Sequence, residues 1–257
     1  MKTSQIAAQL YTCRALLGTP RDIVRTLRRV RAAGYTAVQV SGLGPIDDTE
    51  LVRILDGEGL TCCATHEPGP VILAEPEKVI ARLQRLRCRY TAYPFPVGIN
   101  LDDAAAVDAL VAALDRAGAA LAAAGLTLCY HNHAAEFRSC GGQTILEKIY
   151  AGTRPQHLQG EPDTYWVQYG GGDPVAWCEK LAGRLPLIHL KDYGVDAQNQ
   201  PVMCEVGAGN LDFARIVAAA EAAGCRWFIV EQDICPGDPL DSLVRSFDYL
   251  AHHLAQA

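Results

Sequence analysis

No stretch of the sequence approaches the ~20 consecutive apolar residues needed to cross a bilayer, which excludes a helical membrane protein and a membrane partner. The charged and apolar opening segments of a secretory leader are also missing. Spaced cysteine pairs are absent too: the ten cysteines lie scattered at 13, 62, 63, 88, 129, 140, 178, 204, 225 and 235, and the only adjacent two, Cys62 and Cys63, fall inside an apolar run. That pattern argues against a disulfide framework or a thiolate metal site. It points to a reducing, cytoplasmic setting in which most thiols serve as small buried side chains. Positive charge is in short supply, with 23 Lys plus Arg against 29 Asp plus Glu. A polyanion would have to be held by a local patch, so nucleic acid is not an expected partner. No Pro/Ser-rich linker, low-complexity tract or long charge run divides the 257 residues, and one domain over 1–257 is the economical expectation.

What is present is an alternation of short apolar runs with longer amphipathic segments, the pattern of parallel strands joined by crossover helices. Strands are expected at Ile6–Tyr11, Ala37–Val40, Thr61–Thr65, Arg89–Ala92, Thr127–His131, His157–Asp163, Leu185–His189 and Trp227–Glu231. Helical patterns fall at Pro20–Ala33, Asp48–Glu58, Glu77–Arg87, Asp102–Ala123, Thr144–Tyr150, Val175–Ala182, Phe213–Ala223 and Leu240–Leu254. Thr19-Pro20 supplies an N-cap followed by proline at the first helical position, and Gly34, Gly125 and Gly224 follow the last apolar turns of their helices. The sixth strand, with Gln159-Gly160-Glu161-Pro162, has the weakest pattern and rests on the count. Eight strand-helix units, with no Gly-rich phosphate turn after the first strand, favour a (β/α)8 TIM barrel over an open doubly wound sheet.

In such a barrel the C-terminal ends of the strands converge on one mouth. Ionisable residues stand at five of them: His66 and Glu67, His131, His133 and Glu136, Asp163, His189 with Lys191 and Asp192, and Glu231 with Asp233. Three carboxylates and one imidazole drawn together from four strands would repel one another without a cation between them, which points to a bound divalent metal ion. An oxygen-rich set with nitrogen suits Mn²⁺ first, with Mg²⁺, Co²⁺ and Zn²⁺ as alternatives. His131 and His133 are two apart and share a face, so both can turn to the mouth while Asn132 turns outward.

These residues carry a resemblance. Tyr130–Phe137 (YHNHAAEF), Asp163–Trp166 (DTYW), His189–Tyr193 (HLKDY), Glu205–Gly209 (EVGAG) and Ile229–Asp233 (IVEQD) resemble the sugar phosphate isomerase/epimerase family, the xylose isomerase-like TIM barrels that include inosose dehydratases and endonuclease IV. The resemblance implies a metal held by Glu136, Asp163, His189 and Glu231. Because many relatives have a glutamate where this chain has His131, either His131 replaces it or Glu136 reaches back to the metal. The resemblance also places Glu205 at the substrate.

The implied activity is isomerisation or epimerisation of a keto-sugar or related polyol through an ene-diolate, with Glu231 as one base and His133, Lys191 or Glu136 as its partner. The alternative is β-elimination from a keto-inositol or 3-keto-glycoside, with His66 or the strand-five histidines as proton donor. His131, Trp166 and Arg138 are expected near the substrate, and pairing of two copies is in keeping with such barrels. An endonuclease IV-like phosphodiesterase would need more metal ligands and basic loops, and a non-catalytic sugar-binding barrel would show no metal-dependent turnover.

Overall fold

A computed structural model describes residues 1–256. Its strands are β1 (Ile6–Gln9), β2 (Ala37–Val40), β3 (Thr61–His66), β4 (Tyr90–Tyr93), β5 (Thr127–His131), β6 (Leu158–Glu161), β7 (Leu187–Leu190) and β8 (Trp227–Val230). They pair in parallel in the order β6-β5-β4-β3-β2-β1-β8-β7. The two edges meet at a single bridge between Asp163 and His189, where His189 N–H donates to the Pro162 carbonyl (2.9 Å), and the barrel closes there.

The helices are α1 (Pro20–Ala32), α2 (Asp48–Glu58), α3 (Gly69–Ala74), α4 (Pro76–Arg85), α5 (Ala104–Ala123), α6 (Ile145–Ala151), α7 (Thr164–Tyr169), α8 (Pro174–Lys180), α9 (Phe213–Ala222) and α10 (Pro239–His253). None is long and apolar enough to cross a membrane. Thr19 caps α1 as its position before Pro20 requires, accepting from Asp22 N–H. The short α3 and α7, and two antiparallel hairpins at Ser139–Thr144 and Asp192–Cys204, were not marked by any apolar period in the sequence. The first strand is shorter than expected: at Leu10 the backbone turns into a 3-10 segment through Leu16.

The alternation of side chains along each strand positions the site. Ala7, Ala37, Cys63, Ala64, Ala92, Cys129, Leu187 and Ile229 form an apolar layer inside the barrel. Two residues further along the same faces stand Gln9, Gln39, His131, His189 and Glu231, all buried. A floor of small apolar residues therefore carries a polar layer, and the larger aliphatic core lies between the sheet and the helices. The weak sequence signal of β6 has a packing cause. A Cβ at Gly160 would lie 2.8 Å from the Leu181 side chain and 3.3 Å from the Arg184 carbonyl, so glycine is needed where a branched residue would normally stand. All ten cysteines are free thiols, seven of them buried.

Candidate metal centre and cavity

His131, Asp163, His189 and Glu231, from the ends of β5 to β8, offer ligand atoms that all lie within 4.8 Å of one another, and all four are buried. Each imidazole is anchored through one nitrogen so that the other faces the carboxylates. His189 Nε2 lies 2.7 Å from Gln39 Oε1, which also accepts from Gln9 Nε2 (2.8 Å), so this nitrogen is a donor. Its Nδ1 faces Glu231 Oε2 at 3.0 Å. His131 Nδ1 donates to the Pro94 carbonyl (3.3 Å), leaving Nε2 3.4 Å from Asp163 Oδ2 and 4.0 Å from Glu231 Oε2. Two oriented imidazoles and two carboxylates, each imidazole held by an outer partner, are a donor set that fits a divalent cation.

The chain supplies a cation of its own beside this cluster. Lys191 is fully buried, and its Nζ lies 3.0 Å from Asp163 Oδ2, 2.7 Å from Glu231 Oε2 and 2.7 Å from Asp233 Oδ2. Burial alone would push Asp163 and Glu231 upward, but the ammonium and the neighbouring imidazoles outweigh it and hold both carboxyls well below their ordinary range. Burial opposes charge on His189 as well, yet Glu161 and Glu231 raise it well above an ordinary imidazole. The repulsion that argued for a metal is thus partly relieved by Lys191 itself. With its three donors directed at three carboxylates, the lysine braces the cluster and does not line the cavity.

Glu136 does not join the cluster. It lies in the turn after β5, where Oε1 accepts from Tyr130 Oη (2.9 Å) and Oε2 from His133 N–H (3.0 Å), an arrangement of the capping-box kind. The position at the end of β5 that faces the cluster is taken by His131. Asn132 is turned toward β6 and not outward to the helices: its Oδ1 accepts from Asp163 N–H (3.2 Å). Glu205 is likewise elsewhere, bonded to Ser242 on α10 (2.8 Å), and Arg138 is paired with Asp102 (2.8 Å) on the surface. Asp192 is structural: its two oxygens accept from the backbone N–H groups of Tyr193, Gly207, Gly209 and Leu211 and fold the following loop around it.

A cavity of about 560 Å³ lies over the cluster. Glu231, His131, His133, His66, Trp166 and Asp233 are among its walls. His66 has both ring nitrogens engaged, Nε2 donating to Glu161 Oε2 at 2.6 Å and Nδ1 3.4 Å from the Gln9 amide nitrogen. His133 differs: its Nδ1 is buried without a partner, and burial, with the nearby His131 and Lys191, pushes its pKa down to about 3. The neutral ring lines the cavity, while the unpartnered nitrogen is itself closed off from it.

Glu161, at the end of β6, was missed in the sequence. Its Oε1 accepts from Gln39 (2.7 Å) and its Oε2 from His66, and it stays ionised in full burial because His189 and His66 compensate the cost of desolvation. Only its place two residues before Asp163 could have drawn attention to it.

A family model for the xylose isomerase-like TIM barrel matches residues 27–252. The chain belongs to this family. Among curated members, an inosose dehydratase from Geobacillus thermodenitrificans is 28% identical over 162 residues, covering 56% of this chain and 53% of the relative. The chain thus matches only about half the length of that dehydratase. The rhizopine catabolism protein MocC of Rhizobium meliloti is 25% identical over 94% of this chain and 84% of its own length. A crystal structure of a sugar phosphate isomerase/epimerase from Parabacteroides distasonis superposes with a TM-score of 0.83 at 22% identity, covering 100% of this chain and 96% of that one. At that identity the likeness is one of fold.

Proposed function

We propose that the protein removes a proton next to the carbonyl of a keto-sugar or keto-polyol and that loss of the substituent on the following carbon completes a β-elimination. The observation that carries this reading is the double position of Glu231, which belongs to the buried cluster and also lines the cavity. A divalent ion held by His131, Asp163, His189 and Glu231, Mn²⁺ by preference for a mixed nitrogen and oxygen set, would supply Lewis acidity toward the carbonyl.

The protein's own groups do the rest. Glu231 accepts the proton from carbon, and its position is fixed by Lys191 (2.7 Å) and His189 (3.0 Å). Lys191 keeps Asp163, Glu231 and Asp233 together at tolerable electrostatic cost. The oxygen departing from the following carbon takes up the proton that Glu231 removed and leaves as water or alcohol, beside the neutral His133 ring on the cavity wall. Elimination is favoured over isomerisation or epimerisation because the expected second carboxylate, Glu136, is committed to Tyr130 and His133 N–H. One carboxylate that takes a proton from carbon and returns it to the departing oxygen suffices for elimination, whereas inversion at carbon needs a proton carrier on each face.

The test supplies the Mn²⁺-loaded protein with inososes, 3-keto-glycosides and open keto-sugars in deuterated water and follows products by NMR. Loss of water or alcohol, abolished by Glu231→Gln, is expected. Deuterium gain at carbon with no eliminated product would restore the isomerase reading, and unchanged activity in Glu231→Gln would overturn both.

A further inference from the structure

The apolar side chains left exposed on this molecule are not spread evenly. Of the seven large hydrophobics exposed among the described residues, Tyr11, Phe95, Val97, Tyr169, Val195 and Ile234 all lie in segments that follow barrel strands and surround the mouth. Two of them, Tyr169 at 49% and Ile234 at 72% exposure, border a second concavity of about 560 Å³. Tyr165, Trp166 and Tyr169 of α7 form one wall, and Val202, Met203 and Ile234 stand among the rest. No charged side chain lines it. The cavity above the cluster and this groove share Trp166, and the backbone step from Asp233 to Ile234 passes from one into the other.

We propose that the groove is a subsite for the planar, apolar aglycone of a glycoside whose oxidised sugar ring lies over Glu231. The assignment rests on the reaction proposed above and names its substrate class, an aryl keto-glycoside. A ligand anchored at Glu231 and extending past Asp233 meets Trp166 next, so the apolar wall begins where the polar one ends. The three aromatic rings on α7 pack on one another, with Tyr165 and Trp166 centroids 4.9 Å apart and Trp166 and Tyr169 5.6 Å apart. Such a wall suits a flat ring, and a lining with no charge, in which Gln200 is the one amide side chain, offers few partners to the hydroxyls of a second sugar.

The test measures binding by calorimetry to the Mn²⁺-loaded protein with two inert parent glycosides, 4-nitrophenyl β-glucoside and methyl β-glucoside. Neither carries a carbonyl, so the result is independent of turnover. The aryl compound is expected to bind at least about tenfold more tightly, with that ratio falling toward one in both Met203→Asp and Ile234→Asp. Equal affinities, or no binding of either compound, would overturn the subsite. A preference that survives both substitutions would also overturn it, and if they convert a sedimenting dimer to monomer the groove is a face for a second copy. An aryl preference in a protein that leaves 3-keto-glycosides intact would refute the reaction separately from the groove.

Discussion

Replacing Gly118 by alanine separates the intrinsic preference of a helix from the packing that positions the site. Gly118 lies well inside α5, where alanine normally stabilises by about 0.5–1 kcal/mol through lower backbone entropy in the unfolded chain. Here an added Cβ would overlap the backbone carbonyl of His157, immediately before β6, and a carbonyl cannot swing aside as a side-chain tip can. Relief requires α5 and the start of β6 to part by roughly an ångström, an overpacking cost of about 1–3 kcal/mol. The clash wins, and Gly118→Ala should destabilise by about 1–2 kcal/mol. Gly57 in α2 has no heavy atom within 4 Å of the same added carbon, so Gly57→Ala should stabilise by about 0.5–1 kcal/mol and serves as the control. Urea unfolding followed by circular dichroism reads both as opposite shifts of the midpoint with an unchanged slope. If Gly118→Ala raised the midpoint as Gly57→Ala does, the close approach of α5 to β6 would be wrong, and with it the account of how Glu161 and Asp163 are placed.

Three further outcomes are expected. Calorimetric titration with Mn²⁺ should show His131→Ala weakened by at least about tenfold and Glu136→Gln nearly unchanged; the reverse order would return Glu136 to the metal. Lys191→Met leaves three carboxylates without their ammonium and should cost about 3–5 kcal/mol in metal-free buffer, part of it recovered by millimolar Mn²⁺; identical urea midpoints with and without the ion would contradict a shared role at those oxygens. Glu147 has its pKa lowered from 4.5 to about 2 by the Lys180 hydrogen bond and by Thr144 N–H. Its stabilising contribution is therefore present above about pH 4.5 and lost as the pH falls through about 2, so the stability gap between the native chain and Glu147→Gln should close between pH 6 and pH 2; a constant gap would show that the pair contributes nothing through charge.

The barrel was legible because its information is periodic: seven strands carry apolar runs, and their polar termini fell where the mouth was expected. Asp163, His189 and Glu231 stand at those termini and come together in one buried cluster. The side chains that lie away from their expected places fall where the chain departs from its period. Glu136 and Glu205 sit in turns whose hydrogen bonds decide their direction, and no spacing rule shows that Tyr130 or Ser242 will capture them. Lys191 is expected as a proton carrier beside Glu231, but its donors are consumed by carboxylates that follow β6 and β8, a relation between distant residues. Glu161 was overlooked because Gly160 makes β6 read as a loop, and the cause of that glycine lies in Leu181 and Arg184 on the other side of the strand.

The barrel has one thin join, the single bridge between Asp163 and His189 at the β6-β7 edge. Both residues belong to the donor cluster, so a cation bound by their side chains would also clasp the two ends of the sheet. Occupancy should therefore be written into the exchange of one amide in particular, that of His189, whose N–H crosses the join to Pro162. A cation at that cluster would act on the same two residues that join the ends of the sheet. The protein should then gain its rigidity from the inside of the mouth downward, with the slowest-exchanging amides near the join appearing only when the ion is present.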